Sequence, residues 1–199
     1  MKMLSILFLG LLISGNALSS TNILFLGDSL TEGQGVDENQ AFPRLVEKYL
    51  REKKHDVVVT NGGVSGSTSA SGVNRLKWHL KKKTDIMVLE LGANDGLRGL
   101  KLTETRKNLE EIIHLAKDKK VKVLLVGVLM PTNYGKKYTG EFEQMYKTIA
   151  AAEKVPFLPF ILNGVATKTE LNQADGMHPN PKGHEIIART VTAFVEKNL

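Results

Sequence analysis

Ser29 stands in the stretch Leu26-Gly27-Asp28-Ser29-Leu30-Thr31-Glu32-Gly33, directly after the apolar run Ile23–Phe25. Gly, Asp and Ser are ordinary turn residues, but a hydroxyl at so abrupt a corner also suits a nucleophile. A serine hydroxyl attacks poorly unless a neighbouring imidazole takes its proton. His178 can take it. Asp175, in Asp175-Gly176-Met177-His178-Pro179, can hold the other ring nitrogen, which fixes the tautomer and steadies the imidazolium as it forms. A tetrahedral acyl intermediate also needs donors aimed at its oxyanion. The backbone N–H of Ser29, the backbone N–H of Gly66 and the side-chain amide of Asn94 are the candidates. Glycine at 66 lets the backbone come close to a substrate. Each residue has a plainer reading alone: a helix cap for Ser29, a loop glycine for Gly66, a turn for Asn94, a surface pair for Asp175 and His178.

These residues gain meaning from the elements that carry them. Ile23–Gly27, Val57–Thr60, Ile86–Leu91, Val121–Leu129 and Phe157–Phe160 read as strands, the third and fourth nearly continuous in Val, Leu and Ile. Such runs suit strands covered on both faces. Between them, Phe42, Leu45, Val46, Tyr49 and Leu50 follow helical spacing, as do Leu109, Ile112, Ile113 and Ala116, and Phe142, Met145, Tyr146, Ile149 and Ala150. A last helix is expected with Asn180 as cap and Pro181 at its first position, burying Ile187, Val191 and Phe194. Strands alternating with helices predict a three-layer α/β domain around a five-stranded parallel sheet. Open parallel sheets bind ligands beyond the carboxyl ends of their strands. That edge receives Asp28-Ser29, the small-residue segment Gly62–Gly72, Gly92-Ala93-Asn94-Asp95-Gly96, the segment Pro131–Tyr138, and Asp175–His178. These are the parts of an acyl-transfer site. Pro131–Tyr138 is expected to shape an acyl groove, with Tyr134 sensing chain length.

The chain has 199 residues, 42% of them hydrophobic, enough for one sizeable core. It has no cysteine, which removes disulfides, thiolate metal sites and cysteine nucleophiles. Lys2, the apolar stretch Leu4–Ile13 and the small residues Ser14–Ser19 have the layout of a secretory leader. Residues 1–19 are therefore expected to direct export, to the periplasm or beyond, and 20–199 to form a single domain. The net charge is +6, yet Lys53-Lys54, Lys81–Lys83 and Lys119-Lys120 fall at predicted helix ends, where cations suit the dipole. No aromatic-interleaved basic stripe of a nucleic-acid binder is present; weak attraction to an anionic membrane surface stays open. Gly-x-Ser-x-Gly is absent because Thr31 fills its last position, and no dinucleotide or Walker loop follows the first strand. His184-Glu185 meets no second His and is expected on the polar side of the last helix, with His55, His79 and His114 on surfaces. Glu90, inside a strand, needs partners if buried and is expected to hydrogen-bond structurally.

Gly27-Asp28-Ser29-Leu30, Gly66, Gly92-Ala93-Asn94-Asp95 and Asp175-Gly176-Met177-His178 resemble, in order, the four blocks of the SGNH (GDSL) hydrolases. The longer stretches Leu91–Gly99 and Pro131–Tyr138 are similar to the branch of acyl-CoA thioesterases, lysophospholipases and arylesterases. The resemblance spans Ile23 to Leu199 and implies a flavodoxin-like sheet and a Ser29/His178/Asp175 triad. It also implies an oxyanion hole from Ser29, Gly66 and Asn94, no cofactor or metal, and small acyl ester or thioester substrates, lysophospholipids among them. Ala93 departs from the glycine often found there. Two other readings stay open on sequence: a carbohydrate O-acetylesterase acting on envelope glycans, and a non-catalytic ligand-binding module of the same fold. Neither the natural acyl donor nor the oligomeric state is legible.

Overall fold

The computed structural model describes residues 20–199; the leader read at 1–19 lies outside the described residues. Five parallel strands, β1 (Thr21–Gly27), β2 (Val57–Gly63), β3 (Ile86–Glu90), β4 (Lys122–Val126) and β5 (Phe157–Leu158), form one sheet in the order β2-β1-β3-β4-β5. The helices are α1 (Ser29–Glu32), α2 (Phe42–Glu52), α3 (Gly72–His79), α4 (Ala93–Leu97), α5 (Leu102–Asp118), α6 (Lys136–Glu153) and α7 (Pro181–Glu196). Helices α2 and α7 pack together on one side of the sheet, and α3, α5 and α6 form the row on the other. Covering on both faces explains the unbroken apolar runs: Ile23–Leu26 and Ile86–Leu89 are all buried. No helix among the described residues is long and apolar enough to cross a membrane.

The strand order changes direction between β1 and β3, where the crevice of such a fold opens. Register matters here. Gly27 pairs with Gly63 on one side and with Glu90 on the other, so the strand ends that carry Ser29, Gly66 and Asn94 finish level.

Three strands end two or more residues away from the sequence reading. Strand β2 runs on to Gly63, because its glycines let α1 cross closely: a Cβ on Gly63 would lie 2.0 Å from Glu32 N. Strand β4 stops at Val126, although apolar residues continue. Val128 and Met130 are buried, but as a cleft wall and not as ladder. Strand β5 ends at Leu158 because Pro159 has no N–H for the ladder.

Candidate active site

Asp28 leaves β1 at φ −108°, ψ −142° and caps α1, its Oδ1 accepting from Leu30 N at 3.1 Å. This turn sets Ser29 at the first position of α1, largely buried, with its hydroxyl on the cleft. His178 arrives from the opposite end of the chain. His178 Nε2 lies 2.9 Å from Ser29 Oγ, and His178 Nδ1 lies 2.6 Å from Asp175 Oδ2. The other carboxylate oxygen, Asp175 Oδ1, accepts from Met177 N at 2.9 Å and His178 N at 3.0 Å. These bonds, chiefly those to His178, hold the Asp175 carboxyl at about 2, below the ordinary carboxylate value. It stays ionised wherever the imidazole works.

The loop bearing His178 is fastened to α7. Asn172 bridges Pro179, and Gln173 N donates to His178 O at 2.8 Å. Asn180 Oδ1 accepts from Lys182 N and Gly183 N at 3.0 and 3.2 Å, capping the helix as its sequence predicts. Gly183 lets the helix start press on the loop, since a Cβ there would meet Leu171 O at 2.3 Å.

Asn94 sits in the first turn of α4 and lines the same cleft as Ser29 and His178. Its Nδ2 donates to Asp28 Oδ2 at 3.3 Å. Burial, the dominant influence, pushes the Asp28 carboxyl up to about 6. Gly66 has a left-handed φ of +74°, and that conformation is the reason for glycine, because only Arg98 Nη2 would approach a Cβ, at 3.5 Å. The small-residue loop is not slack. Ser65 N donates to Glu32 Oε2 at 2.8 Å, and Arg98 Nη2 donates to Gly66 O at 2.8 Å. Buried Asp95 takes Ser69 N at 2.8 Å and Ser69 Oγ at 2.5 Å. The helices carrying Ser29 and Asn94 thus also hold the loop of Gly66. None of these fastenings was foreseen from sequence.

The cleft has a volume of about 580 Å³. Its walls are mostly apolar, with Leu97, Val128, Met130, Phe160, Leu162 and Met177 prominent. Such a space takes a chain or ring of many carbons. A hydroxyl, an imidazole and a carboxylate in hydrogen-bonded series, beside an amide donor, have the geometry for nucleophilic acyl transfer.

A family model described as GDSL-like lipase/acylhydrolase matches residues 25–186. The chain belongs to that family. As a member, this acylhydrolase is an enzyme that cleaves ester bonds. It is 38% identical over 188 residues to a protein of Vibrio mimicus named arylesterase, with 94% of each chain covered. It is 37% identical to the Escherichia coli (strain K12) protein named thioesterase 1/protease 1/lysophospholipase L1, covering 93% of this chain and 88% of the relative. A crystal structure of TesA superposes with a TM-score of 0.87 at 36% identity, covering 90% of the acylhydrolase and all of the other chain.

Three sequence expectations need correction. Tyr134 is not among the cleft-lining residues: its hydroxyl donates to Leu97 O at 3.0 Å and its ring stacks on Tyr138. It braces the wall from outside, while Pro131, Thr132 and Asn133 line it. His184 is buried, stacked on Phe42, with Nδ1 accepting from Phe42 N at 3.3 Å. It precedes Ile187 and Val191 by one and two helical turns, so the periodicity already placed it on the inner stripe. His79 is half-buried against Gly62, whose added Cβ would lie 2.9 Å from its Nε2. His55 and His114 pair with Glu196 and Glu153.

Proposed function

We propose that the chain is an exported serine esterase and thioesterase of arylesterase, acyl-CoA thioesterase or lysophospholipase type. Its domain spans 20–199, behind a leader at 1–19. The observation that carries the reading is the 2.9 Å approach of His178 Nε2 to Ser29 Oγ, with Asp175 2.6 Å behind the ring.

In this reading Ser29 Oγ attacks the acyl carbon while His178 Nε2 takes its proton. The carbonyl electrons move onto the oxygen, where Ser29 N–H, Gly66 N–H and Asn94 Nδ2 donate to the oxyanion. Collapse expels the alkoxide or thiolate, which takes the proton from His178. Water repeats the sequence on the acyl-enzyme, releasing the acid and restoring Ser29. Asp175 orients the imidazole and balances its charge, and no cofactor enters any step. The apolar cleft of about 580 Å³ favours fatty or aromatic acyl groups over acetyl. The names of the Vibrio mimicus and Escherichia coli relatives support aryl ester, thioester and lysophospholipid substrates.

The test is a panel of aryl ester, acyl-CoA, lysophospholipid and acetylated-glycan substrates with the mature protein and its Ser29→Ala variant. Turnover of long or aromatic acyl groups that disappears in Ser29→Ala is expected. Preference for the acetylated glycan favours an O-acetylesterase. Failure of a fluorophosphonate to modify Ser29 favours a binding module.

A further inference from the structure

Beneath the nucleophile corner lies a second carboxyl that the mechanism above does not use. Glu90 is buried at the end of β3, directly across the ladder from Gly27. Its Oε2 accepts from Thr31 Oγ1 at 2.8 Å and from Asp28 N at 3.4 Å. Gly27 makes room for it, since a Cβ there would lie 2.7 Å from Glu90 Oε2. The carboxyl therefore touches both sides of the Asp28-Ser29 turn.

The other oxygen is the informative one. Glu90 Oε1 is buried, and no donor reaches it. An ionised Glu90 would leave that oxygen charged and unpaired in the core, a costly state. Arg75 feels the charge of both acids, but its Nη2 donates to the carbonyl oxygens of Gly27 and Gly62, and its buried Nε and Nη1 make no hydrogen bond to Glu90 Oε1. Beside Glu90 lies the Asp28 carboxyl, an acceptor that a protonated Oε1 can serve. Burial and the neighbouring Asp28 charge both drive Glu90 well above the ordinary carboxylate value, so of the two acids it is the one that keeps its proton.

We propose that Glu90, as the neutral acid, is a positioning residue whose Oε1–H donates to the Asp28 carboxylate and so fixes the acceptor that aims the Asn94 amide at the oxyanion. Thr31 Oγ1 and Asp28 N donate to Glu90 Oε2, and Asn94 Nδ2 donates to Asp28 Oδ2 at 3.3 Å; the proposed Oε1–H bond to the neighbouring Asp28 carboxylate joins the two. Glu90 does not touch substrate; it acts through Asn94. The inference rests on the oxyanion role assigned above to Asn94.

A double-mutant cycle tests it, read as kcat and KM on an aryl ester at pH 8 with the thermal midpoint measured alongside. The variants are Glu90→Gln, Glu90→Leu, Asn94→Ala and the Glu90→Leu/Asn94→Ala pair. Gln keeps a carbonyl for Thr31 and Asp28 N and presents a permanent donor to Asp28. It is expected to rescue, holding kcat within about threefold of wild type. Leu removes the donor and is expected to lower kcat about tenfold or more with KM little changed, the scale of one hydrogen bond to a charged group. In the Asn94→Ala background the same Leu substitution is expected to change kcat less than about threefold, because the group through which Glu90 acts is gone.

Equal loss from Leu on both backgrounds overturns the proposal, since a purely structural acid is additive. A folded Glu90→Gln variant with kcat down more than about tenfold overturns it too, and decides the matter if Leu does not fold. An active wild type whose rate is untouched by Asn94→Ala removes the oxyanion role itself, and this inference with it. Additive losses in an enzyme that needs Asn94 remove this inference alone.

Discussion

The substitution Asp28→Asn should make the protein more stable above neutral pH and much slower. Burial holds the Asp28 carboxyl at about 6, against an ordinary value of 3.8. The folded state binds this proton more tightly than the unfolded chain. The group's contribution to stability is thus fully present below 3.8 and lost as pH rises through about 6. At roughly 1.4 kcal/mol per pH unit, ionised Asp28 costs the fold ~3 kcal/mol at pH 8. The amide of the variant removes that cost and keeps an acceptor for Leu30 N. It gives up about 1–1.5 kcal/mol as a charge-assisted cap becomes a neutral one. The net gain is ~1–2 kcal/mol, or a thermal midpoint higher by about 2–6 °C for a domain of this size. At pH 5, where Asp28 of the wild type is mostly protonated, the gain should nearly vanish. The rate moves the other way. The introduced amide turns an NH₂ towards Asn94 Nδ2, so two donors face each other and the oxyanion amide swings away, at a cost of about 10²–10³ in kcat. Thermal melts at pH 5 and pH 8, paired with kcat on an aryl ester, read both effects. A variant that loses more stability at pH 8 than at pH 5 refutes the argument, because the carboxylate would then be a net asset to the fold.

Gly92→Ala should lower both stability and kcat, by ~2–4 kcal/mol in the first: φ is +117° and a Cβ would lie 2.3 Å from Tyr146 Oη. A melt within ~1 kcal/mol of wild type would show that α4 tolerates the shift. Met130→Trp, filling the inner cleft wall, should depress kcat/KM for long acyl chains at least tenfold more than for short ones; equal loss would mean that Met130 does not bound the acyl group. His184, held neutral by burial at about 4, binds a proton more readily when the chain is unfolded, so stability should fall as pH drops from about 6.5 towards 4. His184→Gln should flatten that slope in melts between about pH 4 and 8, and an unchanged slope would assign it to another group.

The sequence made the candidate site residues legible because most follow a strand whose end the apolar runs reveal. Ser29 after Ile23–Phe25, Asn94 after Ile86–Leu91 and Asp175–His178 before the Asn180 cap all fall on one rim for that reason. Two kinds of feature were less open. Glu90 could be recognised as odd within a strand, but its place under Ser29 depends on the β1–β3 register, which pairs it with Gly27 across an intervening strand and three helices. Apolar runs also mark burial without saying against what. Gly127, Val128 and Leu129 read as strand, yet Val128 buries against a cleft, as Met130 beyond it does, because the chain leaves the ladder after Val126 without losing its hydrophobicity. Tyr134 was misjudged for a related reason: an aromatic on a rim loop can face outward and grip backbone, as it does at Leu97 O.

The crevice wall and the groups proposed to react have largely separate origins along the chain. Ser29, Gly66 and Asn94 follow β1, β2 and β3, and cross-linking through Glu32, Arg98 and Asp95 leaves them little freedom. Most of the apolar lining comes from the stretches after β4 and β5, Val128–Asn133 and Phe160–Thr167. The turn at 175–178 contributes to both through Met177 and His178, and α1 and α4 add Leu30, Ala93 and Leu97 to the lining. On the proposed mechanism, selectivity in such a molecule can drift, or be recut by exchanging two short peptides, while the half assigned to bond cleavage is inherited intact.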